Sequence, residues 1–137
     1  MAVSQIIKDM RCLKKLIKDA TGLKVYESEA ISHHDLYWSI SDEYKDKNNP
    51  HITVTHGSHW SIDEGAEYKI SIYAPSLSIG IRRKLNTPLF QYYIDRIVQA
   101  FDNRFGEKSW NCCNEECISW RPMSRFSFYV QIPNFKD

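Results

Sequence analysis

Five histidines, three cysteines close together and one Glu-x-Lys tripeptide are the residues here whose types and spacing could support chemistry. His33, His34, His51, His56 and His59 all fall in the first half of the chain. His51-Ile52-Thr53 has the H-x-T form used by two-histidine phosphoesterases, in which one imidazole takes a proton while a second gives one up. Taken alone it is half of such a pair, and a solvent-facing strand histidine is the expected reading. A metal could draw on His51, His56, His59 and the nearby Asp63, but no H-E-x-x-H or comparable spacing is present, so a polar surface is expected there instead.

Cys112, Cys113 and Cys117 suggest zinc. A closed structural site needs four ligands, commonly two C-x₂₋₄-C pairs, and only one cluster exists; Cys12 lies far away in sequence. Neighbouring residues on a strand also point to opposite faces, which separates Cys112 from Cys113. Reduced, partly buried thiols are expected. Glu67-Tyr68-Lys69 matches the E-x-K half of a restriction-type nuclease site, which also needs an upstream aspartate for Mg²⁺. Asp63 is too close and falls in a turn, and Asp42 falls in a loop. No G-x-S-x-G, Walker A or G-x-G-x-x-G pattern occurs. The residues therefore predict no catalytic group, no metal and no cofactor. The candidates for contact with a partner or ligand are Tyr37, His51, His56, His59, Trp60, Tyr73, Arg82 and Arg83. Tyr37, Tyr73, Tyr92 and Tyr129 fall on the outward face of their elements, and several aromatics on one face mark an interface.

The elements that must hold these residues follow from periodicity. Residues 4–20 place Ile6, Met10, Leu13 and Ile17 on one helical stripe, with Ser4 as N-cap and Gly22 just past the end. Short strands follow at 23–27, 36–41 and 51–55, with 59–62 extending a hairpin, and 67–73 carries Tyr68, Ile70 and Ile72 on one side. Residues 42–50 form a loop. Residues 76–86 fit an edge strand or a flexible arm. Thr87-Pro88 opens a second helix, in which Phe90, Ile94, Ile97, Phe101 and Phe105 keep helical spacing up to Gly106. Residues 109–120 read as a cysteine-bearing loop or hairpin, and 126–132 as a closing strand. Strands grouped between helices, joined by short turns, predict one α+β domain over residues 1–137. Its antiparallel sheet is packed by the N-terminal helix and a second long helix.

Composition narrows the function. The chain has 137 residues, 42% hydrophobic and 26% charged, with 18 basic against 17 acidic residues and a net charge of +1. That balance is globular and lacks the basic excess of a sequence-specific nucleic-acid reader; Arg82-Arg83-Lys84 is the one dense basic run. No stretch reaches the apolar length of a membrane span, and charges interrupt the first 20 residues where a signal peptide would be apolar. Cytoplasmic residence and reduced cysteines are expected.

The whole-chain pattern resembles the small tail-completion, tail-terminator and neck proteins of long-tailed phages. It is carried by three regions. The first is helix one running into Thr21-Gly22-Leu23-Lys24-Val25-Tyr26. The second is Tyr68-Lys69-Ile70-Ser71-Ile72-Tyr73 ahead of a helix from Leu89 to Phe105. The third runs from Trp110 through Glu115-Glu116-Cys117-Ile118-Ser119-Trp120 to Arg125-Phe126-Ser127-Phe128-Tyr129-Val130. The stretch from His33 to Trp60 departs from the pattern in its wealth of histidine and aromatic residues. The resemblance implies a non-enzymatic subunit that forms a homo-oligomer, often a hexameric ring, and contacts neighbouring particle proteins. It would act in the host bacterium's cytoplasm or in the virion, with residues 42–50 and 76–86 as intersubunit arms. Two other classes compete: a phage-encoded inhibitor or nucleotide sponge directed at host defence, and a small phosphodiester hydrolase using His51.

Overall fold

The computed structural model describes residues 3–28, 49–61, 65–79, 82–84, 87–107, 110–119 and 123–132. Helix α1 (Val3–Thr21) buries Met10, Leu13 and Ile17, the stripe its periodicity predicts. It stops where Gly22 takes a φ of 74°, a left-handed conformation that glycine adopts without Cβ strain. The Gly22 amide donates to the Lys18 carbonyl at 2.8 Å, satisfying one of the carbonyls a helix end leaves open. Thr21 Oγ1 donates to the Ile17 carbonyl at 2.8 Å and accepts from the Leu23 amide at 3.2 Å.

The chain continues as strands β1 (Lys24–Ser28), β2 (His51–Ser61) and β3 (Gly65–Pro75), then short strands β4 (Leu77–Ile79) and β5 (Arg82–Lys84). Helix α2 (Thr87–Phe105) and strands β6 (Asn111–Ser119) and β7 (Met123–Ile132) complete it. Gly106 ends α2 with a φ of 95°, its amide donating to the Asp102 carbonyl at 2.9 Å.

Five strands form one sheet in the order β1-β2-β3-β7-β6. The α+β class holds, but the sheet is mixed. The pairs β2–β3, β3–β7 and β6–β7 are antiparallel, whereas β1 runs parallel to β2, with Val25 opposite Ile52. This corrects the expectation of a wholly antiparallel sheet. The connection between Ser28 and His51 is longer than the dozen or so residues that a parallel crossover requires, and its length overrides the short-turn argument.

Three local expectations also change. β2 is one strand through His51–Ser61, with a register shift between His56 and Trp60, rather than two pieces. The cysteine-bearing segment is strand β6, hairpinned to β7 with Ser119 opposite Ser124. Residues 77–84 form a separate two-stranded hairpin, with Ile79 opposite Arg82 and Leu77 opposite Lys84. The expected strand at 36–41 and the expected loop at 42–50, save its last two residues, lie outside the described residues.

Both helices cover the same face of the sheet. On it, Val25, Ile52, Val54, Tyr68, Ile70, Ile72, Phe128, Val130 and Ile132 pack with Met10, Leu13 and Ile17 of α1 and Phe90, Tyr93, Ile97 and Phe101 of α2. The strands carry these residues at alternate positions and the helices at every third or fourth, so each element meets the core with its apolar side. Trp110 closes one end: its ring stands edge-on to Phe101 at 5.2 Å, and its Nε1 donates to Asp102 Oδ1 at 2.8 Å. No helix among the described residues is long and apolar enough to cross a membrane.

Candidate functional site

Register fixes what lies on the sheet face away from the helices. One row across it runs Lys24, His51, Tyr73, Arg125 and Ile118; the next runs Tyr26, Thr53, Ser71, Ser127 and Glu116. A third contains Thr55, Lys69 and Tyr129. These positions alternate with the apolar core residues, so this face is polar by construction.

It is nonetheless buried at its centre. His51, Thr53, Ser71, Tyr73, Ser127 and Gln131 are each less than a tenth exposed. The His51 ring stacks on Tyr73 at 4.7 Å and 10°, and Tyr26 meets it edge-on at 5.8 Å. His51 Nδ1 lies 3.0 Å from the Asn49 carbonyl, an arrangement that makes Nδ1 the protonated nitrogen. Ser71 and Ser127 share a hydrogen bond of 2.8 Å between their hydroxyls. Lys69 Nζ sits 5.8 Å from the centre of the Tyr129 ring, a cation–π contact. The reading of His51 as a solvent-facing histidine and of Tyr73 as an outward aromatic is therefore corrected: both are 1% exposed or less. Strand alternation assigned them to the non-core face correctly, but that face is not open to solvent at these positions.

A second polar centre lies between helix and sheet. Tyr68, wholly buried, donates from its hydroxyl to Asp9 Oδ2 at 3.1 Å, and Asp9 is 1% exposed. Burial, then the charge of Asp9 and the hydrogen bond to it, push the Tyr68 phenol far above its ordinary value, so it remains a donor. His56 stands edge-on to Tyr68 at 5.7 Å. The sequence reading passed over Asp9, although an acid beside Met10 at the edge of the apolar stripe was a visible signal. Burial lowers the His56 pKa, and among the described residues its buried Nε2 has no hydrogen-bond partner. A histidine kept neutral when folded binds its proton more readily once unfolded. Stability should thus hold above pH 6.5 and fall as the pH drops below it. Thermal melts between pH 8 and 5 should show this slope, and His56→Gln should flatten it; an unchanged slope in that variant would remove His56 as its source.

Among the described residues the remaining sequence candidates do not gather into one site. His56-Gly57-Ser58 and His59-Trp60-Ser61 have the H-x-S form and were missed as possible partners of His51-Ile52-Thr53. All three lie on β2, where His51 is opposite Tyr73 and His56 opposite Tyr68, so His51 and His56 take opposite faces of the sheet. They cannot serve as base and acid on one substrate. His59 falls within the register shift, and Trp60 beyond it is opposite Ala66. Cys112 and Cys117 are opposite Val130 and Phe126, four residues apart on β7, and Cys113 is opposite Tyr129. Four residues of strand span roughly 13 Å, which is the backbone separation that register sets between Cys112 and Cys117. Among the described residues no group of three metal-ligating side chains gathers. Lys69 of the Glu-x-Lys tripeptide is engaged with Tyr129. Arg82 and Arg83 lie on β5, away from the main sheet. Tyr37, Asp42 and Asp63 lie outside the described residues. Tyr92 keeps its outward position, 49% exposed, with the Arg96 guanidinium 4.8 Å from its ring centre.

Comparison with protein-family models gave no match, and no curated protein matched the chain.

Proposed function

We propose that this chain is a non-enzymatic structural subunit that assembles with copies of itself and with neighbouring proteins, as in the tail-completion or neck ring of a phage-like particle. The observation that carries the reading is the β4–β5 hairpin. Its strands have three residues each and form a sheet of their own. An isolated two-stranded hairpin is marginal in water. A hairpin arm of this kind gains stability by adding its open edge to a strand of a neighbouring subunit. Rings join two different patches on each subunit, and a hairpin outside the main sheet would supply one of them. The aromatic and histidine stack around His51 contributes to the subunit's own packing, since Tyr73 already occupies one face of the imidazole.

Light scattering over a concentration series tests the proposal. A defined oligomer, of about hexamer size or another closed ring, is expected. Replacing residues 77–84 by a short Gly-Ser linker should return the protein to monomer while its melting temperature is kept. A full-length chain that stays monomeric at every concentration, alone and with candidate neighbours, would count against the assembly role.

A further inference from the structure

The solvent side of α1 is predominantly basic, with Asp19 as its exposed acid. Lys8, Arg11, Lys15 and Lys18 are exposed and Lys14 is half-buried. Lys8, Arg11 and Lys15 line a shallow groove with Cys12. The helix holds five basic and two acidic residues, leaving 13 basic against 15 acidic in the rest of the chain. One of the two acids, Asp9, is turned into the core. Among the described residues none of the five cations forms an ion pair. Like charges at helical spacings of three and four repel one another. The helix dipole does not account for them either, since Lys8 and Arg11 lie in the first half of the helix, where cations are not favoured. The sequence thus keeps a locally unfavourable array that no ion pair among the described residues offsets, a pattern expected at functional surfaces.

Chemistry selects the partner. Met10, Leu13 and Ile17 are buried against the sheet, so among the described side chains of α1 no apolar face remains to enter a membrane. Among the described side chains the exposed positions of α1 offer no aromatic or apolar anchor of the kind that dominates protein interfaces. They offer no Asn or Gln to read base edges and no ring on which a single-stranded base could stack. What remains is a line of cations from Lys8 to Lys18, spanning roughly 15 Å at the rise of a helix. Phosphates of a duplex supply negative charge at about one per 1.7 Å of axis. We infer that the exposed face of α1 binds the phosphate backbone of double-stranded nucleic acid without sequence preference. The surface is distinct from the β4–β5 hairpin and does not depend on the assembly reading.

The test is fluorescence anisotropy of the full chain with a short labelled DNA duplex across a salt series. The logarithm of affinity should fall against the logarithm of salt concentration with a slope of about −3 to −4, as expected for some four phosphate contacts. A scrambled duplex should bind equally. Lys8→Gln with Lys15→Gln should weaken binding roughly tenfold or more and reduce the slope by about 2, whereas Lys8→Arg with Lys15→Arg should retain both. Should the glutamine pair melt early, Arg11→Gln with Lys18→Gln gives the same reading. The inference is overturned if the full chain shows no salt-dependent duplex binding or if the glutamine pairs bind as well as the parent. It is also overturned if Arg82→Gln with Arg83→Gln abolishes binding instead, or if anionic vesicles are bound through these lysines and the duplex is not.

Discussion

Truncating Phe101 to alanine should lower the free energy of unfolding by about 3–5 kcal/mol, the range for removing a large aromatic side chain from a well-packed core. Phe101 is wholly buried on α2. It meets Phe105 edge-on at 5.7 Å and Trp110 at 5.2 Å, and such pairs add about 0.5–1.5 kcal/mol beyond the area they bury. Alanine there leaves a cavity between helix and sheet that Trp110 cannot fill without losing its hydrogen bond to Asp102. Urea unfolding should show a lower midpoint at an unchanged m value. A loss under about 1 kcal/mol would mean the site collapses around the deletion and that the ring packing contributes little.

The second large effect concerns the buried Tyr68–Asp9 pair. Tyr68→Phe removes the hydroxyl that donates to Asp9 Oδ2 and leaves a carboxylate that is 1% exposed without that donor. A buried acceptor deprived of one of its donors costs up to about 1–3 kcal/mol, with charged groups at the upper end. Asp9→Ala strands the Tyr68 hydroxyl instead and should cost a similar amount. The double variant should lose less than the sum of the two, with a coupling of about 1–3 kcal/mol. Strict additivity would show that the hydrogen bond makes no net contribution. The pair also has an alkaline signature. The folded phenol is held protonated above its ordinary value of 10.0, while the unfolded phenol ionises near that value. The stabilisation is complete below pH 10 and diminishes as the pH rises beyond it. Tyr68→Phe should therefore lose stability less steeply above pH 10 than the parent.

Much of the site chemistry was legible as exclusion. A single cluster of cysteines and an E-x-K without its aspartate were incomplete as sequence. The pairing of His51-Ile52-Thr53 with the two H-x-S tripeptides was not dismissible from sequence alone, since catalytic partners need not be neighbours. Register decided it for His56-Gly57-Ser58, by placing His51 and His56 on opposite faces of one strand. The burial of His51 and Tyr73 was illegible, because alternation tells which side of a strand a residue takes and not how deeply that side is covered.

By itself the sequence determined both long helices, their glycine ends at Gly22 and Gly106, the apolar side of each core strand and the α+β class. These are local properties: a period of 3.6 or 2, a glycine that accepts positive φ, an apolar residue at every core position. Only the tertiary structure decided that β1 lies parallel to β2, that residues 77–84 leave the main sheet as a hairpin, and that Asp9 on the first helix meets Tyr68 on the third strand. Each of these joins residues that are distant in the chain or depends on which strand lies beside which. Hydrophobic burial drives them, and it rewards apolar contact without direction. The partner is therefore chosen by the packing of the whole chain rather than by any segment's own pattern.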